Sequence, residues 1–264
     1  MEYDLSFGPA PKLNFPDDAW NWFIDACKDL DIPVNDNKKT ILQNLYSHLV
    51  HVNESLNLTR ITDPMGYLKF HVFDSLTVLN LIQAYTKSGE DVLDLGSGGG
   101  YPGLPLMTWL PDRKWTLVDS RPKKVEFLKQ TILLTPAANN ATAMAFRGRE
   151  AASQAPGLYR KCKLVTARAV GKAAEILPDA AELLDIDGLL LLLKGPAYPV
   201  KERDDFLDAM PKFGFELMEE HRLVLDDDDP ERWIVIAIRT NPPASERKKP
   251  KSRFKSPRKP KRQP

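Results

Sequence analysis

Residues 91 to 103 read DVLDLGSGGGYPG, an apolar run carrying one carboxylate, Asp94, followed by glycine at positions 96, 98, 99, 100 and 103. Glycine permits positive φ and puts no side chain between main chain and ligand, so this stretch suits close passage past a cofactor. A second carboxylate, Asp119, ends the next apolar run, WTLVDS, 21 residues beyond Gly98. An acid at that spacing can bond ribose hydroxyls. Strand, glycine loop, helix, strand and acid together could hold NAD or S-adenosylmethionine, and Gly98-x-Gly100-x-x-Gly103 satisfies the dinucleotide fingerprint literally. Two features favour the methyl donor. Asp94 precedes the first glycine by two, giving D-x-G-x-G-x-G, and Pro102 and Pro105 follow the loop. Those prolines are expected to disturb a helix N-terminus that would cradle pyrophosphate, and S-adenosylmethionine has no phosphates to cradle.

Other chemistries are poorly supplied. Tyr159-x-x-x-Lys163 has a reductase spacing but sits at the entrance to a strand, not on a helix. Cys27 and Cys162 are read as small core residues rather than the nucleophile that methylation at pyrimidine carbon five requires. His48 and His51 share a helix face without a third ligand, so no metal site is expected. The acidic run at 226 to 229 reads as a solvated hairpin turn.

The elements that must position these groups fall into two blocks. Residues 1–88 read as a helical extension. PDDAWNWFIDACKDL places Trp20, Phe23, Ile24, Cys27 and Leu30 on one face, NKKTILQNLYSHLVHVNESLNL repeats the pattern, and a third helix spans about 64 to 85. Residues 89–241 alternate short apolar runs (DVLDLG, KWTLVDS, ATAMAFRG, KLVTARAV, GLLLLLKG) with helical segments, which implies a mostly parallel sheet covered on both faces. GFELMEEHRLVL and RWIVIAIRT are separated only by the acidic turn and so form an antiparallel hairpin. The fold class is therefore α/β: a seven-stranded, Rossmann-like sheet with an antiparallel C-terminal hairpin, of the class I S-adenosylmethionine-dependent methyltransferase type.

The net charge of +1 hides an asymmetry: residues 246–264 hold ten Lys/Arg against one Glu, leaving −8 for the rest. Such a Pro- and Lys/Arg-rich segment, here 242–264, cannot bury enough surface to fold and suits a polyanion partner. No run approaches the roughly 18 apolar residues of a membrane span, the start does not resemble a secretory signal, and two cysteines suit a reducing cytoplasm.

Residues 37 to 195 resemble the RsmG (GidB) family of guanine-N7 methyltransferases of small-subunit (16S) ribosomal RNA. The resemblance rests on NLTRITDPMGYLKFHVFDSL, VLDLGSGGGYPGLPL, LVDSRPKKVEFL, RGREAA, TARAV and LLKG. The family's Lys-His pair reads Lys69-Phe70-His71 here, its Ser-Arg-Ala reads Ala167-Arg168-Ala169, Lys124 replaces an Arg, and the basic tail is extra.

The resemblance implies S-adenosylmethionine as cofactor, with Gly96, Gly98, Gly100 and Tyr101 in the loop, Asp119 and Ser120 at the ribose, and Arg149 and Glu150 around the adenine. It puts Arg168 near the methionine end or the incoming RNA. Guanine N7 has an in-plane lone pair and no hydrogen, so no general base is expected. Arg168 and Lys194, each ending a strand, are then the candidates to clamp phosphate or stack on the base. Asn57, Arg60, Lys69 and His71 are RNA-binding candidates, with the alternative that this polar set, including Thr59 and Asp74, ties the helical extension to the sheet. The expected partner is small-subunit ribosomal RNA or a ribosomal particle, met by a cytoplasmic monomer. Competing readings are a nucleic-acid-binding Rossmann protein without catalysis and an NAD oxidoreductase.

Overall fold

A computed structural model describes residues 7–226 and 228–240, so the basic tail lies outside the described residues. Helix α1, Asp17–Asp29, starts behind Pro16 with Asp17 and Asp18 in its first turn, where carboxylates meet the positive end of the helix dipole. Helix α2, Asp36–Leu56, is capped by Asn35, whose side chain accepts the Lys38 N–H. It buries Ile41, Leu42, Leu45, Leu49 and Val52, the stripe its spacing predicts.

The third expected helix is not continuous. It runs as α3, Pro64–Gly66, a π-helical turn, Tyr67–Phe73, then α4, Asp74–Leu76, and α5, Leu79–Tyr85. A π turn bonds i to i+5, and such turns inside α-helices are frequent at functional sites. This one presents the Phe70 carbonyl and the His71 ring to the sheet.

The sheet is built from β1 (Asp91–Leu95), β2 (Lys114–Asp119), β3 (Ala141–Ala145), β4 (Cys162–Arg168), β5 (Leu184–Lys194), β6 (Phe215–Leu223) and β7 (Arg232–Arg239). The intervening helices are α6 (Gly103–Trp109), α7 (Pro122–Ile132), α8 (Ala151–Gln154), α9 (Ala173–Leu183), α10 (Tyr198–Lys201) and α11 (Arg203–Phe213). Strand order is β3-β2-β1-β4-β5-β7-β6, with the first five parallel and β7 antiparallel to both neighbours. In β5, Leu189, Leu191 and Leu193 join a core with α1, α2, α6 and α7, while Leu190 and Leu192 join a second core with α9 and α11. This two-residue alternation is why the apolar runs look continuous: both faces are covered. The N-terminal helices thus share one core with a sheet face, and Leu49 of α2 reaches the glycine loop beside Gly99. Among the described residues no helix is long and apolar enough to cross a membrane.

One expectation is overturned. Despite Pro102 and Pro105, α6 forms directly after the loop. Pro102 is its N-cap and Pro105 lies in its first turn, where a missing N–H costs no intrahelical bond. The order of strands reverses between β1 and β4, the crevice where open α/β sheets bind ligands.

Candidate active site

The loop is held by Asp94. Its carboxylate is fully buried; Oδ2 accepts the Gly103 N–H at 3.1 Å and Oδ1 the Thr166 hydroxyl at 2.9 Å. Burial pushes this carboxyl up to about 6, against the pull of Thr166, Ser97, the Gly103 N–H and Arg168. The first turn of α6 is otherwise self-satisfied. The Leu104 N–H goes to the Gly100 carbonyl, the Leu106 N–H to the Pro102 carbonyl, and Pro105 has none. No N–H remains there for a pyrophosphate. Gly96, at φ +69°, has a further reason to lack a side chain: a Cβ would lie 2.6 Å from Val170.

Three adjoining cavities run along the carboxyl edge of the sheet. The first, about 270 Å³, lies among Gly96, Asp119, Phe146, Arg149, Ile176 and Asp179. The second, about 420 Å³, shares Gly96, Asp119, Ser120 and Val170 with it and continues past Ser97, Gly98 and Tyr101 to His71 and Arg168. The third, about 530 Å³, shares His71, Arg168 and Ala169 with the second and reaches Lys194 and Glu202. Asp119 stands between the first two. Its Oδ2 accepts the Gly98 N–H at 3.1 Å and its Oδ1 the Arg121 N–H at 2.8 Å, leaving lone pairs for further donors.

Arg168 is the hub of the wall between the second and third cavities. Its Nη1 donates to the Phe70 carbonyl and to Asp74 Oδ2, each at 2.8 Å, and its guanidinium lies 5.5 Å over the Tyr101 ring. Nη2 faces His71 Nδ1 at 3.3 Å. Arginine only donates, so Nδ1 accepts and the hydrogen-bond network assigns the ring proton to Nε2, 2.8 Å from Thr59 Oγ1. Burial and then Arg168 hold the imidazole down to about 3, so it is neutral, stacked on Tyr101 at 4.4 Å. Ala169 follows Arg168 in the left-handed region, φ +57°, a conformation uncommon for a residue with a Cβ.

Other sequence candidates sit differently. Gly100 lines none of the three cavities; its φ of +95° and its contact with Leu104 make it a turn residue. Arg149 lines the first cavity, its N–H and Nε donating to Asp179 Oδ1 at 3.1 and 2.9 Å. Glu150 does not line it; its carboxylate accepts the Arg147 N–H at 3.0 Å and caps the short 3-10 turn Gly148–Glu150. Lys194 is not a free cation. It is buried, donating to the Gly171 carbonyl at 2.7 Å and to Glu202 at 2.6 Å. Lys69 lies outside all three cavities, 3.0 Å from Asp226 and 2.8 Å from Asp229. The acidic run is thus an ion-pair partner of the helical extension rather than a bare solvated turn. Asn57 and Arg60 are exposed, Asn57 ending α2 in the left-handed conformation. His71 and Asp74 tie the extension to the sheet through Arg168, while Thr59 bonds only within the extension, to the His71 ring among others.

The remaining expectations concern bystanders. Cys27 and Cys162 are wholly buried, and desolvation pushes both thiols up to about 12. Lys163 pairs with Asp185 at 3.1 Å, away from Tyr159's turn. His48 stacks on Phe127 at 5.2 Å, and His51 meets the Phe7 carbonyl at 2.8 Å. Phe146, Ile176, Asp179 and Glu202 escaped sequence reasoning because their signals are non-local: Asp179 stands 30 residues from Arg149.

Sheet order, glycine loop and strand-end acid together define the Rossmann-like fold of class I methyltransferases. A predicted O-methyltransferase from Agrobacterium tumefaciens shares it with a TM-score of 0.51 and 17% identity, over 64% of this chain and 81% of that one. The model of the family described as rRNA small subunit methyltransferase G (GidB) matches residues 38–212, and the chain belongs to this family. The protein named ribosomal RNA small subunit methyltransferase G of Lactobacillus helveticus is 32% identical over 81% of this chain and 88% of its own length. Its namesake from Sorangium cellulosum is 39% identical over 58% and 63%.

Asp94 gives a test with a defined sign. Its folded pKa of about 6 lies above the ordinary 3.8, so its ionisation opposes folding: its stability contribution is complete below about pH 4 and is lost as pH rises through 6. Asparagine keeps an acceptor for the Gly103 N–H without titrating. The melting temperature of Asp94→Asn minus that of the wild type is therefore expected to rise between pH 4 and 7; a difference that stays flat would contradict the assignment.

Proposed function

We propose that this protein is a cytoplasmic, monomeric enzyme that transfers a methyl group from S-adenosylmethionine to N7 of a guanine in small-subunit ribosomal RNA. The observation that carries the reading is the pair of joined cavities astride Asp119, fed by a glycine loop whose following helix has spent its N–H groups. That loop suits a nucleoside without phosphates and disfavours NAD. Residues 1–88 act as a helical extension seated on the catalytic body, 89–241.

The residues fit the methyl donor. Phe146 and Ile176 offer apolar faces to an adenine, Asp119 and Ser120 have acceptors for ribose hydroxyls, and the Gly96–Gly99 backbone opens on the second cavity for the methionine part. When bound, the cofactor supplies an electrophilic methyl on a sulfonium. The chain's own task is orientation, since a purine N7 lone pair needs no base before it attacks. Neutral His71 accords with that: nothing at the wall between the second and third cavities must take a proton. The target base must leave any stack to reach this edge.

The reaction is tested by incubating the protein with methyl-labelled cofactor and unmethylated small subunits, or their naked RNA, then digesting the RNA and separating nucleosides. Label in 7-methylguanosine is expected; label elsewhere, or none with either substrate, contradicts it.

The tail is proposed as an electrostatic arm, because its +9 opposes a body of −8. Each phosphate contact contributes about 0.7–0.9 to the slope of log affinity against log salt. Deleting residues 246–264 should weaken RNA binding and flatten that slope, and equal slopes for the full and shortened chains would remove the arm.

A further inference from the structure

We infer that the third cavity receives the acceptor guanine and that Glu202 reads the edge of the base remote from N7, an inference that rests on the reaction proposed above. The cavity is about 530 Å³, within the range of about 300–1,000 Å³ that small-molecule sites occupy. Among the described residues it shares only His71, Arg168 and Ala169 with the second cavity, so a base in it abuts the place where a methyl would be presented.

Two carboxylates line it, and they are in different states. Asp74 is committed: Oδ2 takes Arg168 at 2.8 Å, and Oδ1 faces Arg232 Nε at 3.4 Å. Glu202 is held through one oxygen alone. Oε2 accepts Lys194 Nζ at 2.6 Å and the Ala173 N–H at 2.8 Å, which fixes the carboxylate plane. Among the described residues Oε1 takes no hydrogen bond, so both its lone pairs are open. A mostly buried carboxylate, oriented by a buried ammonium and offering one unused oxygen, is built to receive donors.

Guanine presents two parallel donors, N1–H and the N2 amino group, on the edge opposite N7. Adenine presents an acceptor at its N1, which Oε1 would repel. A purine held on Oε1 by that edge points N7 back toward the Arg168 wall.

The same contact strengthens during transfer. The N7 lone pair forms the new carbon–nitrogen bond, the electrons of the sulfur–methyl bond pass to sulfur, and no proton moves. The positive charge leaves sulfur and spreads over the purine, making N1–H a stronger donor to the carboxylate. Glu202 therefore reads the base and stabilises the charge that develops on it.

The test compares guanosine with inosine, which lacks only the N2 amino group, at the mapped target position of small-subunit RNA. Wild type and Glu202→Gln are assayed on both, with S-adenosylmethionine binding followed by calorimetry. Inosine is expected to lower wild-type kcat/KM about 10-fold, and Glu202→Gln to lose about 10- to 100-fold on guanosine, chiefly in kcat, as expected for a hydrogen bond to a charged group. The variant should no longer distinguish the two bases, and its cofactor binding should be unchanged. An inosine penalty as large in Glu202→Gln as in wild type overturns the role of Glu202, as does the lack of any penalty in wild type.

A second variant leaves the Glu202–Lys194 pair intact. Gly195 lines the cavity and a Cβ there meets no atom within 4 Å, so Gly195→Leu starts its side chain in open space. It should cut methylation about 100-fold while still binding S-adenosylmethionine; methylation at the wild-type rate overturns the cavity assignment. A wild type that binds the methyl donor yet modifies no guanine refutes the reaction itself, an outcome distinct from these.

Discussion

A carboxylate taken out of water organises this site. Asp94 has no exposed surface, and an ionised group so placed must be met by hydrogen bonds or give up its charge. The partners it finds are the first N–H of α6 and a hydroxyl on the neighbouring strand β4. Those two bonds fix where the loop leaves β1, where the helix begins, and how β1 sits against β4 at the reversal of strand order. The choice of ligand class follows. A helix start already satisfied by a side chain and by its own loop carbonyls cannot receive phosphate, whereas the backbone from Gly96 to Gly99 still borders the second cavity.

The wall between the second and third cavities obeys a related constraint on charge. A sulfonium presented near Arg168 would be repelled by an unpaired guanidinium, but Asp74 absorbs that charge and His71 stays neutral. A buried pair of this kind is weak evidence for stability, since desolvation offsets much of its attraction. Its effect here is geometric: Arg168, Asp74 and the Phe70 carbonyl dock the π turn of the extension onto the end of β4. Lys69, gripping Asp226 and Asp229, adds a second tie to the turn between β6 and β7. The helical extension is thereby part of the site rather than a cap laid over it.

What could be read from the chain in advance was what local pattern encodes. Apolar runs marked all seven strands, and the spacing of Asp94, the glycines and Asp119 marked the crevice at the reversal of strand order. The helix after the loop was misjudged because a proline in a first turn lacks an N–H that the turn does not use. The π turn left no periodicity to find, since its neighbours remain helical and apolar. Pairings across the fold were hidden for a simpler reason. Lys69 and Asp226 are 157 residues apart, Arg168 and Asp74 are 94, and nothing in composition links them. Lys194 at a strand end looked available to RNA because its partner, Glu202, is brought to it only by the turn into α11. Glu150 was assigned to the adenine by resemblance; the structure puts it outside the lining of the first cavity, with Oε2 accepting an N–H from three residues earlier.

Which nucleotide the glycine loop accepts is decisive. Titration calorimetry of the full chain with S-adenosylmethionine and, separately, with NAD measures this without any RNA. Saturable heat at one S-adenosylmethionine per chain, with none for NAD, is the predicted result. Saturable binding of NAD, with S-adenosylmethionine giving no heat, would contradict it.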